Sequence, residues 1–200
     1  YSFANDNPDC GICSPAIYNQ DRTLNYNFNY FPDIMWELYE LLGWGYNFRL
    51  RKLSSIINKS RENKTPIKVD WMTGACMIIK KDLFNEIGKF DERFFLYYED
   101  VDLQKKLKSK HKNNFCLPYL EVYHESNVSS KTNKEIYYTN LLISKLKYYK
   151  KHFGFPKIFL NKFLLYTGFL LRNLIISLNG KNNIDLKKRY RDSIKILRNN

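Results

Sequence analysis

Apolar and polar positions change period several times along the chain, and each change marks an element. After the turn residues Asn7-Pro8-Asp9-Cys10-Gly11, the compact apolar run from Ile12 to Tyr18 predicts a short strand with Pro15 inside it. Between Asp33 and Leu42, the residues Ile34, Leu38 and Leu41 return to one side, which is the spacing of a short helix. The basic stretch from Trp44 to Lys68, rich in Ser, Asn and Lys, reads as a long, mobile surface loop. Val69 to Ile79 suits a buried strand entering a turn at Gly74. Asp82 stands where it caps a short helix through Leu83, Phe84 and Ile87, which Gly88 ends. Phe94 to Tyr98 is aromatic and strand-like. Glu99-Asp100-Val101-Asp102 then opens a helix through Lys110, with Val101, Leu103 and Leu107 on its apolar side. Phe115 to Tyr123 predicts a further strand, interrupted by Pro118, that delivers His124 at its end.

The pattern beyond Lys134 is different. Lys134 to Phe153 is helical and alternates aromatic with basic positions. Ile158 to Leu178 is strongly apolar but contains Lys162 and Arg172, and its longest uncharged run, Phe163–Leu171, is nine residues. That falls short of the roughly 20 apolar residues of a membrane span. Asn161, Lys162, Gly168, Arg172 and Asn179 fall along one helical side and leave a wide apolar face, the pattern of a helix lying in a membrane interface. The tail Lys181–Asn200 adds seven basic residues against two acidic ones, a charge that attracts anionic headgroups.

Composition sharpens this picture. Of 200 residues, 44% are hydrophobic, which is enough for a folded core and excludes a disordered polar chain. The net charge of +13 is unevenly spread: residues 1–48 hold one basic and six acidic residues, whereas residues 103–200 hold 21 basic and five acidic. Such a gradient points to a polyanionic partner on the C-terminal side, a nucleic acid or an anionic membrane surface. The aromatic residues mostly sit in apolar runs rather than alternating with Lys or Arg, and no nucleic-acid motif is present, so a nucleic-acid partner is not expected. Cys10-Gly-Ile-Cys13 has CxxC spacing, but no second CxxC or His pair completes a zinc set, and packing of reduced thiols is expected. Tyr1-Ser-Phe-Ala-Asn-Asp is neither a basic leader nor a start methionine, so further chain upstream is expected.

Candidate chemistry concentrates where polar residues stand in apolar surroundings. Phe90 to Asp102 places five carboxylates, Asp91, Glu92, Glu99, Asp100 and Asp102, among aromatic residues. Glu99, Asp100 and Asp102 would sit at a helix N-terminus, where free amides and the helix dipole favour negative charge. A carboxylate held there can take a proton from a bound hydroxyl. Equally, Asp100 can be only an N-cap and Asp102 only a first-turn acid. His124, ending a strand before the polar Ser129-Ser130 loop, is either a metal or phosphate contact or a structural hydrogen-bonding residue. In Val69-Asp70-Trp71-Met72-Thr73-Gly74-Ala75-Cys76, small residues after a Trp let a ligand approach the backbone, or else form a buried strand with a turn glycine.

Taken in order, Asp70-Trp71-x-Thr73-Gly74-Ala75-Cys76, then Gly88-x-Phe90-Asp91-Glu92-x-Phe94-Phe95-Leu96-Tyr97-Tyr98-Glu99-Asp100-Val101-Asp102-Leu103, then Pro118-x5-His124-x4-Ser129-Ser130 resembles the rhamnosyltransferase-like branch of the family 2 glycosyltransferases. The resemblance is strong over about 60 residues and weaker from Pro8 to the helix that contains Asn140. It implies an α/β fold of GT-A type, a mixed sheet flanked by helices. This chain would supply the C-terminal, acceptor-side half over residues 1–154, and an amphipathic, basic helical tail would follow over 155–200. It implies inverting transfer of a hexose or deoxyhexose such as rhamnose, from a nucleotide-sugar to a lipid-linked or polysaccharide acceptor. Asp100 would be the general base, with Glu99 orienting Asp100 or the acceptor. Trp71, Thr73, Gly74, Asp91 and Glu92 would bind substrate, and His124 would join a divalent metal, Mg2+ or Mn2+. The family's nucleotide-binding half and its DxD metal motif are expected upstream in the same gene or on a partner chain. Asp100-Val101-Asp102 has that spelling but falls in the acceptor-side block. The expected location is cytoplasmic, peripheral on the inner face of the cell membrane. A non-catalytic, membrane-associated half-transferase acting as a scaffold is the alternative.

Overall fold

The computed structural model describes residues 1–25, 28–41, 55–124, 134–178 and 184–199. They fall into two compact units, one within residues 1–31, 47–92 and 99–128, the other within 32–46, 93–98 and 129–200.

The first unit is a mixed α/β layer built on two long strands. β1 (Cys10–Tyr18) runs parallel to β7 (Asn113–Tyr123). β4 (Ile67–Val69) flanks β7 antiparallel. β2 (Leu24–Asn25) and β6 (Ile78–Ile79) both pair antiparallel with β1, at opposite ends of it. β3 (Phe28–Asn29) and β5 (Trp71–Met72) form a separate antiparallel pair. Every residue of β1 is buried, so its sequence shows a continuous apolar run in place of alternation. α5 (Glu99–Ser109) covers one face, joining Leu103 and Leu107 to Ile12, Met72 and Cys116 in the main core. α1 (Ser2–Asp6) covers the other, where Ala4 and Phe3 meet Cys10, Cys13, Phe115 and Leu117.

Two register shifts explain features that regular pairing would forbid. Between Cys10 and Ile12 the β1–β7 register slips, so Cys10 and Cys13 share the α1 face despite their odd spacing. Gly11 sits at that slip because a Cβ there would come within 3.1 Å of the Lys112 Cβ. The second shift lies between Pro15 and Ala16: Pro15 pairs with Leu117, while Ala16 pairs with Glu121. The extra residues on β7 include Pro118, so both prolines lie at the irregularity where a missing N–H disrupts no ladder.

Three sequence expectations are corrected. Phe94–Tyr98 is not a strand; Tyr97 and Tyr98 both have φ of 68°, a left-handed conformation that no strand tolerates. Ring contacts with Tyr137 and Tyr148 hold these two residues within the second unit. Asp82 does not cap its helix: α4 (Lys81–Glu86) begins after Lys80, with no side-chain cap, and Asp82 lies in the first turn. The basic stretch is not loop throughout, since residues 55–62 are helical (α3) and bury Ile57 and Ser60 before β4 begins. The part of that stretch within 44–54, and Ser129 and Ser130, lie outside the described residues.

The second unit is helical: α2 (Ile34–Leu41), α6 (Lys134–His152), α7 (Phe155–Leu178) and α8 (Ile184–Asn199). Glu37 of α2 is 3% exposed and is paired with Lys145 of α6 at 2.8 Å, while the Tyr149 hydroxyl donates to it at 3.4 Å. Leu142, Leu146, Leu165 and Leu197 form the apolar centre with Tyr166 and Phe169. Gly168 lets α7 approach α2 closely, because a Cβ there would lie 2.8 Å from Leu41 Cδ1.

α5 is joined to β5 by one buried side chain. Gln104, fully buried, donates from Nε2 to the Met72 carbonyl at 2.6 Å and accepts the Met72 N–H at 2.8 Å, so it completes both polar groups of a residue that is itself 0% exposed. Gln104→Leu keeps the volume but orphans both groups, each worth about 1–3 kcal/mol when buried and unpaired. A loss of that order in denaturant midpoint, with the slope unchanged, is expected. Lys145→Met, which strands a buried Glu37, is expected to cost about 3–5 kcal/mol. The double variant Glu37→Leu/Lys145→Met should recover most of that in the same unfolding measurement.

Candidate active site

The acidic block divides sharply once folded. Glu99 and Asp100 are the first two residues of α5, both partly accessible, and Asp102 turns inward to 0% exposure beside Lys106 at 3.9 Å. Residues two apart on a helix do not share a face, so Asp100-Val101-Asp102 presents no paired carboxylates. Asp100 is therefore inside the helix and is not its N-cap.

The Asp100 carboxylate is anchored at both oxygens. Oδ2 accepts the Gly74 N–H at 2.9 Å, and Oδ1 accepts the Val101 N–H at 2.8 Å. Burial and then the neighbouring Glu99 charge push its pKa up to about 6, against the lowering effect of these two hydrogen bonds. The result is a carboxyl group that titrates close to neutrality in a fixed orientation. Next to it, Glu99 Oε2 is buried with no hydrogen-bond partner among the described residues. A buried carboxylate oxygen without a donor is costly, so this position is suited to receive one from a bound molecule.

The strand opposite is held with equal care. Gln104 fixes Met72 and also bonds back to the Asp100 carbonyl at 2.9 Å, linking both sides of the Gly74–Asp100 contact. Asp70 Oδ2 accepts the Phe31 N–H at 3.1 Å, and Asn114 Nδ2 donates to the Asp70 carbonyl at 2.7 Å. The Trp71 indole N–H donates to the Tyr30 carbonyl at 2.8 Å, so its polar edge is used within the protein while the ring stays half-buried. Thr73 follows, half-buried, directly before exposed Gly74. A methyl group added at Gly74 would meet Met77 Cε at 3.7 Å and Asp100 Cβ at 3.8 Å, ordinary contacts, so nothing in this unit requires glycine there.

The structure thus brings Gly74 against Asp100, with Glu99 beside Asp100 at the helix start and Thr73 next to Gly74 in the chain, while the Trp71 indole is bonded to Tyr30. Asp91 and Glu92 lie in the loop between α4 and α5, Asp91 half-buried and Glu92 exposed. His124 is exposed just past the end of β7, where its N–H donates to the Tyr18 carbonyl at 2.9 Å; it shares no hydrogen bond with Asp100. Among the described residues, no three His, Cys, Asp or Glu side chains gather closely enough to hold a metal ion. Cys10 and Cys13 are free and buried; the hydrogen bond between their thiols raises the Cys10 pKa and lowers that of Cys13 to about 7. Sequence reading missed Gln104. Its signal is the spacing Val101, Gln104, Leu107, which places an amide on the apolar face of a helix.

Comparison with known proteins gives partial matches. No family model matches the chain, and no solved structure matches it significantly. Over 120 residues, 58% of the chain, it is 28% identical to the N-acetylglucosaminyl-diphospho-decaprenol L-rhamnosyltransferase of two Mycobacterium tuberculosis strains. It is 31% identical over 72 residues, 36% of the chain, to an uncharacterized protein of Sinorhizobium fredii. The chain spans 38% of the length of the mycobacterial relatives and 7% of the rhizobial one. The similarity is thus a partial homology to a glycosyltransferase within a mixed α/β fold.

Proposed function

We propose that this chain forms the acceptor-side part of an inverting glycosyltransferase in which Asp100 is the general base. The observation that carries this reading is the Asp100 carboxyl itself: it titrates near 6, is oriented by the Gly74 and Val101 N–H groups, and stands beside the unpartnered Glu99 oxygen. An acceptor hydroxyl attacks the anomeric carbon of a nucleotide-sugar as the bond to the nucleotide diphosphate breaks. The departing electron pair leaves on the diphosphate oxygen, and the hydroxyl proton passes to Asp100. A base with a pKa just below working pH is largely ionised, yet basic enough to accept that proton in the transition state.

Glu99 accepts a hydrogen bond from the acceptor and, through its charge, keeps Asp100 basic. Trp71 offers a ring face to sugar C–H groups, and Thr73 and Gly74 border the acceptor. Asp91 and Glu92, on the loop leading to α5, complete the substrate contacts from this chain. The sugar is a hexose or a deoxyhexose such as rhamnose. The acceptor is a lipid-linked or polysaccharide hydroxyl, in keeping with the activity for which the mycobacterial relatives are named. His124 offers this chain's ligand to a divalent ion, Mg2+ or Mn2+. The described residues do not by themselves complete a metal site.

Asp100→Asn retains an oxygen for the Gly74 N–H but cannot take a proton. A fall in kcat of about 10²–10⁴ is expected, measured as sugar transfer by the gene product that contains this chain. Transfer by the variant at the wild-type rate would assign the chain a scaffold role. In the wild type, activity should rise through pH 6 as Asp100 ionises. Stability runs the other way: a raised folded pKa means the native state holds its proton longer, so stability falls as pH rises from about 4 to 6. Asp100→Asn is therefore expected to be more stable than wild type at pH 8, by less than the roughly 3 kcal/mol an unscreened shift of this size implies. The two should match at pH 3, as thermal melts at both pH values would check. Gly74→Ala should leave the melting temperature within a few degrees and raise KM for the acceptor; an unchanged KM would place the acceptor elsewhere.

A further inference from the structure

The second unit has a helix whose apolar face points outward. Along α7, Phe155, Phe159, Phe163, Leu170, Leu171, Leu174, Ile175 and Leu178 are all exposed, Phe155 to 78% and Leu178 to 75%. The opposite side, with Asn161 at 0% exposure and Gly168, is buried against the unit. A surface helix in water normally shows the reverse arrangement. The polar residues on the outer face also behave as they would away from water. Thr167 donates to the Phe163 carbonyl at 2.9 Å, and Ser177 donates to the Asn173 carbonyl at 2.9 Å, so both hydroxyls are satisfied within the helix.

Charge identifies the surface that this face fits. α6, α7 and α8 together carry 14 Lys and Arg against three Asp and Glu. By helical spacing, Lys157 and Lys162 fall on opposite flanks of the exposed apolar arc, where their stems reach along it and their ammonium groups stand at its rim. An apolar stripe bordered by cations matches the boundary between acyl chains and anionic headgroups.

We propose that α7 is a monotopic membrane anchor, lying in the plane of an anionic bilayer with Phe159, Phe163, Leu170 and Leu174 inserted. The helix is about 36 Å long at 1.5 Å per residue, enough to cross a hydrocarbon core of about 30 Å. Its inner face rules out that orientation. Phe169 stacks on Tyr190 with ring centroids 6.0 Å apart, and Arg198 donates to the Tyr166 hydroxyl at 2.9 Å, so α8 with its six basic residues is attached along it. A spanning helix would drag those charges into hydrocarbon, where an unpaired cation is strongly disfavoured. The anchor rests on the helical unit alone and stands whether or not Asp100 is a base.

The test is flotation of the full 200-residue chain with phosphatidylcholine vesicles, with and without phosphatidylglycerol. Binding is expected to the anionic vesicles and to weaken with salt. Phe159→Gln/Phe163→Gln/Leu170→Gln/Leu174→Gln should reduce it more than tenfold with helix content unchanged by circular dichroism. Lys157→Glu/Lys162→Glu, which leaves the apolar face intact, should reduce binding to anionic vesicles and weaken its salt dependence. A spin label at residue 163 should report a depth of about 5–10 Å below the headgroups; a label at the bilayer centre would overturn the in-plane orientation. Vesicle binding equal in wild type and quadruple variant would overturn the proposal. So would a chain that ignores vesicles but self-associates through this face, with the quadruple variant monomeric.

Discussion

The arrangement around Asp100 depends on Gln104. A strand of two residues, β5, has too few ladder bonds to hold its own position, and its other partner, β3, is equally short. Gln104 supplies what a longer strand would, giving Met72 a donor and an acceptor from the flank of α5. Because the same amide also bonds to the Asp100 carbonyl, the backbone before Gly74 and the helix start move as one body. The 2.9 Å contact between the Gly74 N–H and Asp100 Oδ2 follows from that coupling, and so does the orientation of the carboxylate. A carboxylate held only by its own helix would retain rotamer freedom, and its two oxygens would be interchangeable.

This coupling also explains how a partly buried acid near a second acid is tolerated. Packing and the Glu99 charge both disfavour ionised Asp100, and only backbone N–H groups, first those of Gly74 and Val101, oppose them. The balance leaves the site under electrostatic tension at neutral pH, a cost that the proposed base role would explain. Asp102, two residues further on, shows the opposite outcome. It has the same chemistry, but it points into the core and has Lys106 nearby, so it contributes to the fold and is closed to any ligand.

Much of this was legible in the chain, and the exceptions have physical causes. Residues Ile12–Tyr18, Asp33–Leu42, Glu99–Lys110 and Phe115–Tyr123 announced their elements because each forms contacts dictated mainly by its own periodicity. Phe94–Tyr98 misled because aromatic β-formers were placed by ring contacts, and left-handed backbone at Tyr97 and Tyr98 has no local signature without glycine. Asp82 misled because an acid at the second position of a helix looks the same in sequence as an N-cap. The carboxylate pair at 99 and 100 stood out as charge in apolar surroundings. The residue that ties its frame together did not, since glutamine is ordinary in helices and only its tertiary partner reveals what it does.

The outward face of α7 raises the same issue on a larger scale. Periodicity separates two sides of a helix but does not say which one the protein covers. Here the side with Asn161 and Gly168 is covered, because a glycine permits close approach to Leu41 and the leucines beside it fill the centre of the unit. Burying Asn161, whose amide atoms find no partner among the described residues, is unfavourable. In water, rotating the helix to bury its phenylalanines and leucines would relieve that cost and hide more apolar surface. An acyl-chain layer against the exposed face, as proposed, would supply the apolar surroundings that this orientation lacks in water.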